Sequence, residues 1–205
     1  MKYIRLILFV CLMFSQTVFA SPVQEIETYY QHPDLYQAKI LIQNLSDEKV
    51  LENSPGSYPL MAGFLGGLVL KRPTFIHQLK QMPLSPVMKA LVDHVDVQTR
   101  QARYDIGVYL DVRQIHEPKN IDTLWGLFYA TGNGKILETI RNYIIWQCQT
   151  RPDTEINVTS LMAMSSLQAN AANHPLVRMA WYQVLQTPSV QRKLALLQNF
   201  DKLIQ

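Results

Sequence analysis

The side chains with most chemical capacity are five histidines, His32, His77, His94, His116 and His174, together with Cys148 and the carboxylates around them. No two histidines stand four residues apart, as a zinc-binding HExxH helix requires, and no CxxC pair is present. Asp93-His94-Val95-Asp96 gathers three ligand types, and Asp111, His116 and Glu117 gather three more. A solvated helix face produces such groups without a metal, so neither is assigned as a metal site. Ser46-Asp47-Glu48-Lys49 fits the SxxK pattern of penicillin-binding enzymes, but neither KTG nor SDN follows. Ser46 reads instead as a helix cap. GxSxG is absent, and Gly132-Asn133-Gly134-Lys135 follows a helical pattern rather than a strand, with the wrong spacing for a phosphate loop. Paired carboxylates for sugar cleavage stay open, because their separation is set by the fold and not by the sequence. No catalytic, cofactor-binding or metal-ligating residue is assigned, and no cofactor is expected.

Two further patterns have quiet readings. Asn44-Leu45-Ser46 and Asn157-Val158-Thr159 match the glycosylation acceptor, which matters only in a eukaryotic secretory pathway. Met162 and Met164 read as core filler.

Lys2 and Arg5 make a short positive region, Ile4 to Phe14 is an almost unbroken apolar run, and Val18-Phe19-Ala20 offers small residues at the positions a signal peptidase reads. Residues 1–20 are therefore expected to be a signal peptide, with 21–205 a single helical domain in the periplasm or outside the cell. The apolar run is shorter than the roughly 20 residues of a membrane span, so no span is expected after its removal. Cys11 leaves with it, and Cys148 remains alone, which excludes an internal disulfide. Without Lys2 and Arg5 the chain carries 17 basic against 16 acidic residues, near neutrality, and lacks the basic stripe of a nucleic-acid binder.

Prolines punctuate the rest. Pro22, Pro33, Pro59, Pro73, Pro86, Pro118, Pro152, Pro175 and Pro188 each stand at or just before an apolar-periodic segment, where the missing amide would be unpaired anyway. Helices are predicted over Pro22–Gln31, Asp34–Leu45, a short turn to Asn53 capped by Ser46, Tyr58–Leu70, Pro73–Gln81 and Val87–Val97. Thr99 to Ile115 fits both a strand and a helix, and is read as helix because a lone strand has no partner. Gly63, Gly66 and Gly67 in the Tyr58–Leu70 helix each weaken it by about 1 kcal/mol relative to alanine, so a closely approaching neighbour is expected.

The clearest geometry lies between Pro118 and Cys148. Ile121, Leu124, Trp125, Leu127 and Phe128 spread over too much of a helix for an edge element. Gly132 stands where a left-handed cap belongs, and Asn133 can cap the next helix. Leu137, Ile140, Ile144 and Cys148 then form one row, which buries the thiol. This is an αα-hairpin. Ser- and Ala-rich Glu155–Asn173 and two helices opened by His174-Pro175 and Thr187-Pro188 complete an all-α chain of about eight short helices. They are expected to form an irregular stack of antiparallel hairpins, α-solenoid-like or an orthogonal bundle.

The stretch Asp122 to Asn133 resembles an aromatic, ATG-turn segment of small exported bacterial proteins of uncharacterised function. Trp125, Gly126 and Tyr129 resemble the first helix of a tetratricopeptide-like repeat, although no period of roughly 34 residues recurs. The resemblance implies helical hairpins and brings no catalytic residue with it. An exported, non-catalytic protein that binds another protein or serves as a scaffold is the leading expectation. A wall-directed hydrolase with paired carboxylates, an inhibitor or immunity-type protein and a purely structural envelope protein are the alternatives.

Overall fold

The computed structural model describes residues 22–101, 111–150 and 157–195. Among these there are about eleven α-helices and no strand, more than the eight expected, because the chain breaks more often than its prolines announce. The expected signal segment, the alternating stretch between Tyr104 and Leu110, and Pro152 lie outside the described residues.

Helix α1 (Pro22–Thr28) runs into a 3-10 turn at Tyr29–Gln31, and α2 (Leu35–Asp47) follows. Asp34 caps α2 by accepting from the backbone N–H of Tyr36 at 2.7 Å and of Gln37 at 3.2 Å. Ser46 does not cap the next turn. It lies inside α2, 2% exposed, and its Oγ accepts from the Ser85 N–H at 2.7 Å. The short α3 (Val50–Asn53) is entered instead through Lys49, whose φ of 52° places a non-glycine residue in the left-handed region.

Helix α4 (Tyr58–Lys71) buries Met61, Phe64, Leu65, Leu68 and Val69 together with all three of its glycines. Its principal partner is α7 (Pro118–Thr131), far along the chain. A Cβ on Gly63 would stand 2.0 Å from the Thr123 carbonyl oxygen, and one on Gly126 would stand 2.0 Å from that of Leu60. A Cβ on Gly67 would meet Ala130 Cβ at 2.6 Å. Contacts thus advance in the same sense along both helices, and the backbones touch where side chains are missing. Gly66 has no such role: a Cβ there meets nothing within 4 Å.

Helix α5 (Phe75–Gln81) is tied to α6 (Pro86–Gln101) through Asp96, a buried carboxylate that accepts from Lys80 Nζ at 2.7 Å and from Arg100 Nε at 2.7 Å. The Lys80 ammonium, with help from Arg100, holds the Asp96 carboxyl below the usual range. Helix α6 extends past its expected end and takes in Thr99. A 3-10 turn at Val112–Gln114 then leads to α7.

Gly132 ends α7 at φ 64° and ψ 15°, and its N–H reaches the Phe128 carbonyl at 2.7 Å. Asn133 accepts from the Lys135 N–H at 3.0 Å and opens α8 (Gly134–Thr150), in which Leu137, Ile140, Ile144 and Cys148 are all buried as one row. Burial pushes the Cys148 thiol up, away from the reactive thiolate. Helices α9 (Val158–Ala171) and α10 (Pro175–Leu185) pack against each other and onto α7 and α8, and residues 188–195 begin α11. The buried apolar side chains form one contiguous cluster from Ile26 to Val190. Among the described residues no helix is long and apolar enough to cross a membrane.

Candidate interaction surface

The groups that could do chemistry are drawn apart or tied down. Asp93 and Asp96 both face Lys80, while His94 turns to the other side and places its ring 6.2 Å from that of Tyr58. Asp111 forms a forked pair with Arg113, whose guanidinium holds its carboxyl low. Glu117 pairs with Lys119 at 3.0 Å, and the backbone amides of His116 and Glu117 donate to Asn120 Oδ1, fixing the start of α7. Among the described residues no three His, Cys, Asp or Glu side chains stand together.

Two of the described carboxylates are shifted by burial alone. Glu27 on α1 and Asp122 on α7 are both raised by burial, and neither contributes to the shift of the other. Glu27 lies close enough to Tyr129 to act on its hydroxyl electrostatically.

A groove of about 960 Å³ opens where the start of α4, the second half of α6 and the start of α7 meet. Tyr58, Pro59, Ala62, Ile115 and Leu124 give it an apolar floor, and His94, Asp111 and Lys119 stand at its rim. Asp111 and Lys119 are engaged with Arg113 and Glu117, as above. The groove has the shape of a cleft without a paired nucleophile and base.

The aromatic row of α7 serves cohesion. Trp125 Nε1 donates to Ser166 Oγ at 2.9 Å, and one turn later Tyr129 donates to Asn170 at 2.8 Å. These two bonds, in step along α7 and α9, seat the C-terminal hairpin on the central helix. The Tyr30 hydroxyl and His174 Nδ1 share a third bond at 3.0 Å, which links the N-terminal helix to the entrance of α10. His174 is 2% exposed and its ring lies between Tyr30 and Tyr129, at 5.7 and 6.0 Å. It does not cap α10 with its side chain. Burial holds its imidazole below the usual range.

What the C-terminal hairpin leaves outside is unusual. Inward, α9 buries Ala163, Met164 and Leu167, and α10 buries Val177, Ala180 and Val184. Outward, Val158, Leu161 and Met162 on α9, and Leu176, Met179 and Tyr182 on α10, are exposed, Val158 and Met179 to more than 60%. Met162 is therefore not core filler as expected, whereas Met164 is. Between Asn157 and Gln191 the only charged side chain is Arg178. Its guanidinium donates to the Ala171 and Ala172 carbonyls, at 3.0 and 2.9 Å, closing the end of α9 where a positive charge suits the helix dipole. The periodicity that identified Val177, Ala180 and Val184 as inward said nothing of Leu176, Met179 and Tyr182. The missing charges were the available signal.

The Asn157 amide caps α9 by accepting from the Ser160 N–H at 2.7 Å and donates to Gln147 at 3.2 Å. That nitrogen also lies 3.5 Å from the Tyr143 hydroxyl, so a glycan on it would displace one of these two contacts. The chain matches no family model, no curated protein and no solved structure.

Proposed function

We propose that this chain is an exported, non-catalytic helical protein that binds another protein, using the outer face of the α9–α10 hairpin. The observation that carries this reading is the pair of exposed apolar rows on a stretch whose single charged side chain, Arg178, is bonded to the Ala171 and Ala172 carbonyls. Depletion of charge together with methionine and tyrosine is the composition found at the centre of protein interfaces. An irregular stack of helical hairpins supplies such a face on a firm base, since the hairpin is held from beneath by the Trp125 and Tyr129 bonds. Export is supported by the N-terminal pattern of residues 1–20, in which a positive start precedes an apolar run and small residues.

The test is a photo-crosslinking residue at Met179, compared with the same residue at exposed Gln78 on α5, in cells expressing the chain. A discrete protein adduct at position 179 and none at 78 is the expected result. Equal, diffuse labelling at both positions would remove the support for this face. Export is checked by fractionation and by the N-terminal sequence of the recovered protein, which is expected to begin at Ser21.

A further inference from the structure

We propose that Tyr30 and His174 form an acid-released latch between residues 22–31 and the C-terminal hairpin, so that acid favours lifting of that segment from a body that stays folded. Among the described residues the His174 ring makes one hydrogen bond, from Nδ1 to the Tyr30 hydroxyl at 3.0 Å. The ring is buried between Tyr30 and Tyr129. Charging it puts a proton on both nitrogens and calls for a counter-ion. The hairpin has none to give: between Asn157 and Gln191 there is no Asp or Glu. Arg178, one turn further along α10, is itself a cation. His174 also stands at the N-cap of α10, the positive end of the helix dipole, where an imidazolium is disfavoured. From the other elements packed on the ring, the titratable groups that face it are Tyr30 of the 3-10 turn and Tyr129 of α7. Glu27 of α1 acts on the Tyr129 hydroxyl, whereas burial alone acts on His174. The charged ring is therefore accommodated by reaching water.

Of the two sides of the latch, the Tyr30 side is the one that gives way. The His174 side is tied at its backbone: its N–H donates to the Asn170 carbonyl at 3.1 Å, its carbonyl accepts from the Arg178 N–H at 3.0 Å, and the Arg178 guanidinium binds the Ala171 and Ala172 carbonyls just before it. The Tyr30 side is a seven-residue helix and one 3-10 turn, set off from α2 by the break at His32-Pro33. Buried Ile26, and Tyr29 edge-on to Phe64 at 5.3 Å, keep it closed at neutral pH. Lifting it uncovers Phe128, whose ring lies 4.7 Å from that of Tyr30. Each pH unit below the ordinary histidine value of about 6.5 favours the charged, open form ten-fold, which sets a ceiling of about 30-fold at pH 5.

Hydrogen exchange of the purified chain at about pH 7.5 and about pH 5, each corrected for the intrinsic rate at that pH, reads the latch in the amides of residues 26–31. The expected result is a fall in their protection of about 10- to 30-fold at the lower pH, with little dependence on added urea, as a local opening requires. His174→Gln, which cannot titrate, is expected to show no such fall. In the wild-type chain the His174 ring, followed by NMR, is expected to titrate below about 6.5, and this measurement stands even where the variant does not fold. Protection that ignores pH overturns the latch, as does a fall that His174→Gln shares or a ring that titrates at the ordinary value. A fall that carries the full urea dependence of global unfolding overturns it too, because the segment then does not open by itself.

Discussion

The contact between α4 and α7 gives the sharpest quantitative prediction. Gly63→Ala adds one methyl group 2.0 Å from the Thr123 carbonyl oxygen, against 3.4 Å for an ordinary contact, so the helices must part by about 1.4 Å. Both sides of the clash are backbone, and no rotamer can relieve it. Overpacking ordinarily costs about 1–3 kcal/mol, and opening a packed face by 0.5–1 Å forfeits a quarter to a half of its dispersion energy. Against this, alanine returns about 1 kcal/mol of helix propensity. The net expectation is a loss of about 2 kcal/mol or more, which for a chain of this size lowers Tm by roughly 4–8 °C. Gly66→Ala is the internal control. It gains the same propensity and meets nothing within 4 Å, so it should raise stability by up to about 1 kcal/mol. Gly126→Ala meets Leu60 across the same crossing, and parting the helices relieves both clashes, so the double variant should cost clearly less than the sum of the singles. Urea denaturation of the four variants measures all of this. If Gly63→Ala is as stable as wild type, or Gly66→Ala is as damaging as Gly63→Ala, the backbone contact does not exist as described.

Three other perturbations follow from single features. Gly132→Val should destabilise by about 1 kcal/mol or more, because φ of 64° is strained for a branched side chain; space is not the issue, since a Cβ there meets Tyr30 only at ordinary distance. An unchanged melting temperature would show the α7–α8 turn to be otherwise. Burial depresses the His174 pKa, so the neutral form stabilises the fold fully above the unfolded value of about 6.5, and stability is lost as pH falls through the folded value. Tyr30 and Tyr129 flank that ring, and wild type should weaken between pH 6.5 and the folded value more steeply than His174→Gln, compared by urea titration at each pH; parallel curves would exclude His174 as the source. Ser46→Ala should cost about 1–2 kcal/mol by leaving the Ser85 N–H without its acceptor, whereas Asn44→Gln, on the exposed side of α2, should be silent in the same assay.

Much of the local structure was legible in the sequence because its causes are local. Proline marked most helix entrances, Gly132 marked an exit, and the row ending at Cys148 marked a buried face. The glycines of α4 announced that something comes close, but not what. Its identity, α7, depends on how segments that begin 60 residues apart pack, and a local window of sequence does not contain both. Ser46 failed for a related reason. A serine after a helical pattern looks like a cap, yet in a helix interior it is tolerated when its hydroxyl finds a distant partner, here Ser85. The outer residues of α9 and α10 were passed over because periodicity identifies the face that goes in. Exposed Met162 and buried Met164, two residues apart, show how little residue type alone decides.

The pairing of α4 with α7 also constrains the order in which the chain can fold. Helix α4 is complete at Lys71, but the surface that covers its glycines ends at Thr131. At about 5–20 residues per second of synthesis, α4 waits roughly 3–12 s for its partner. Until then its most apolar side is open, and α5 and α6, which arrive first, pack elsewhere on it and cannot substitute for the missing backbone contact. Closing that loop costs entropy before the contact repays it. A chain made almost wholly of short helices would otherwise condense locally and fast. This one depends on a late, long-range step, and until α7 is available the apolar side of α4 stays open to other partners.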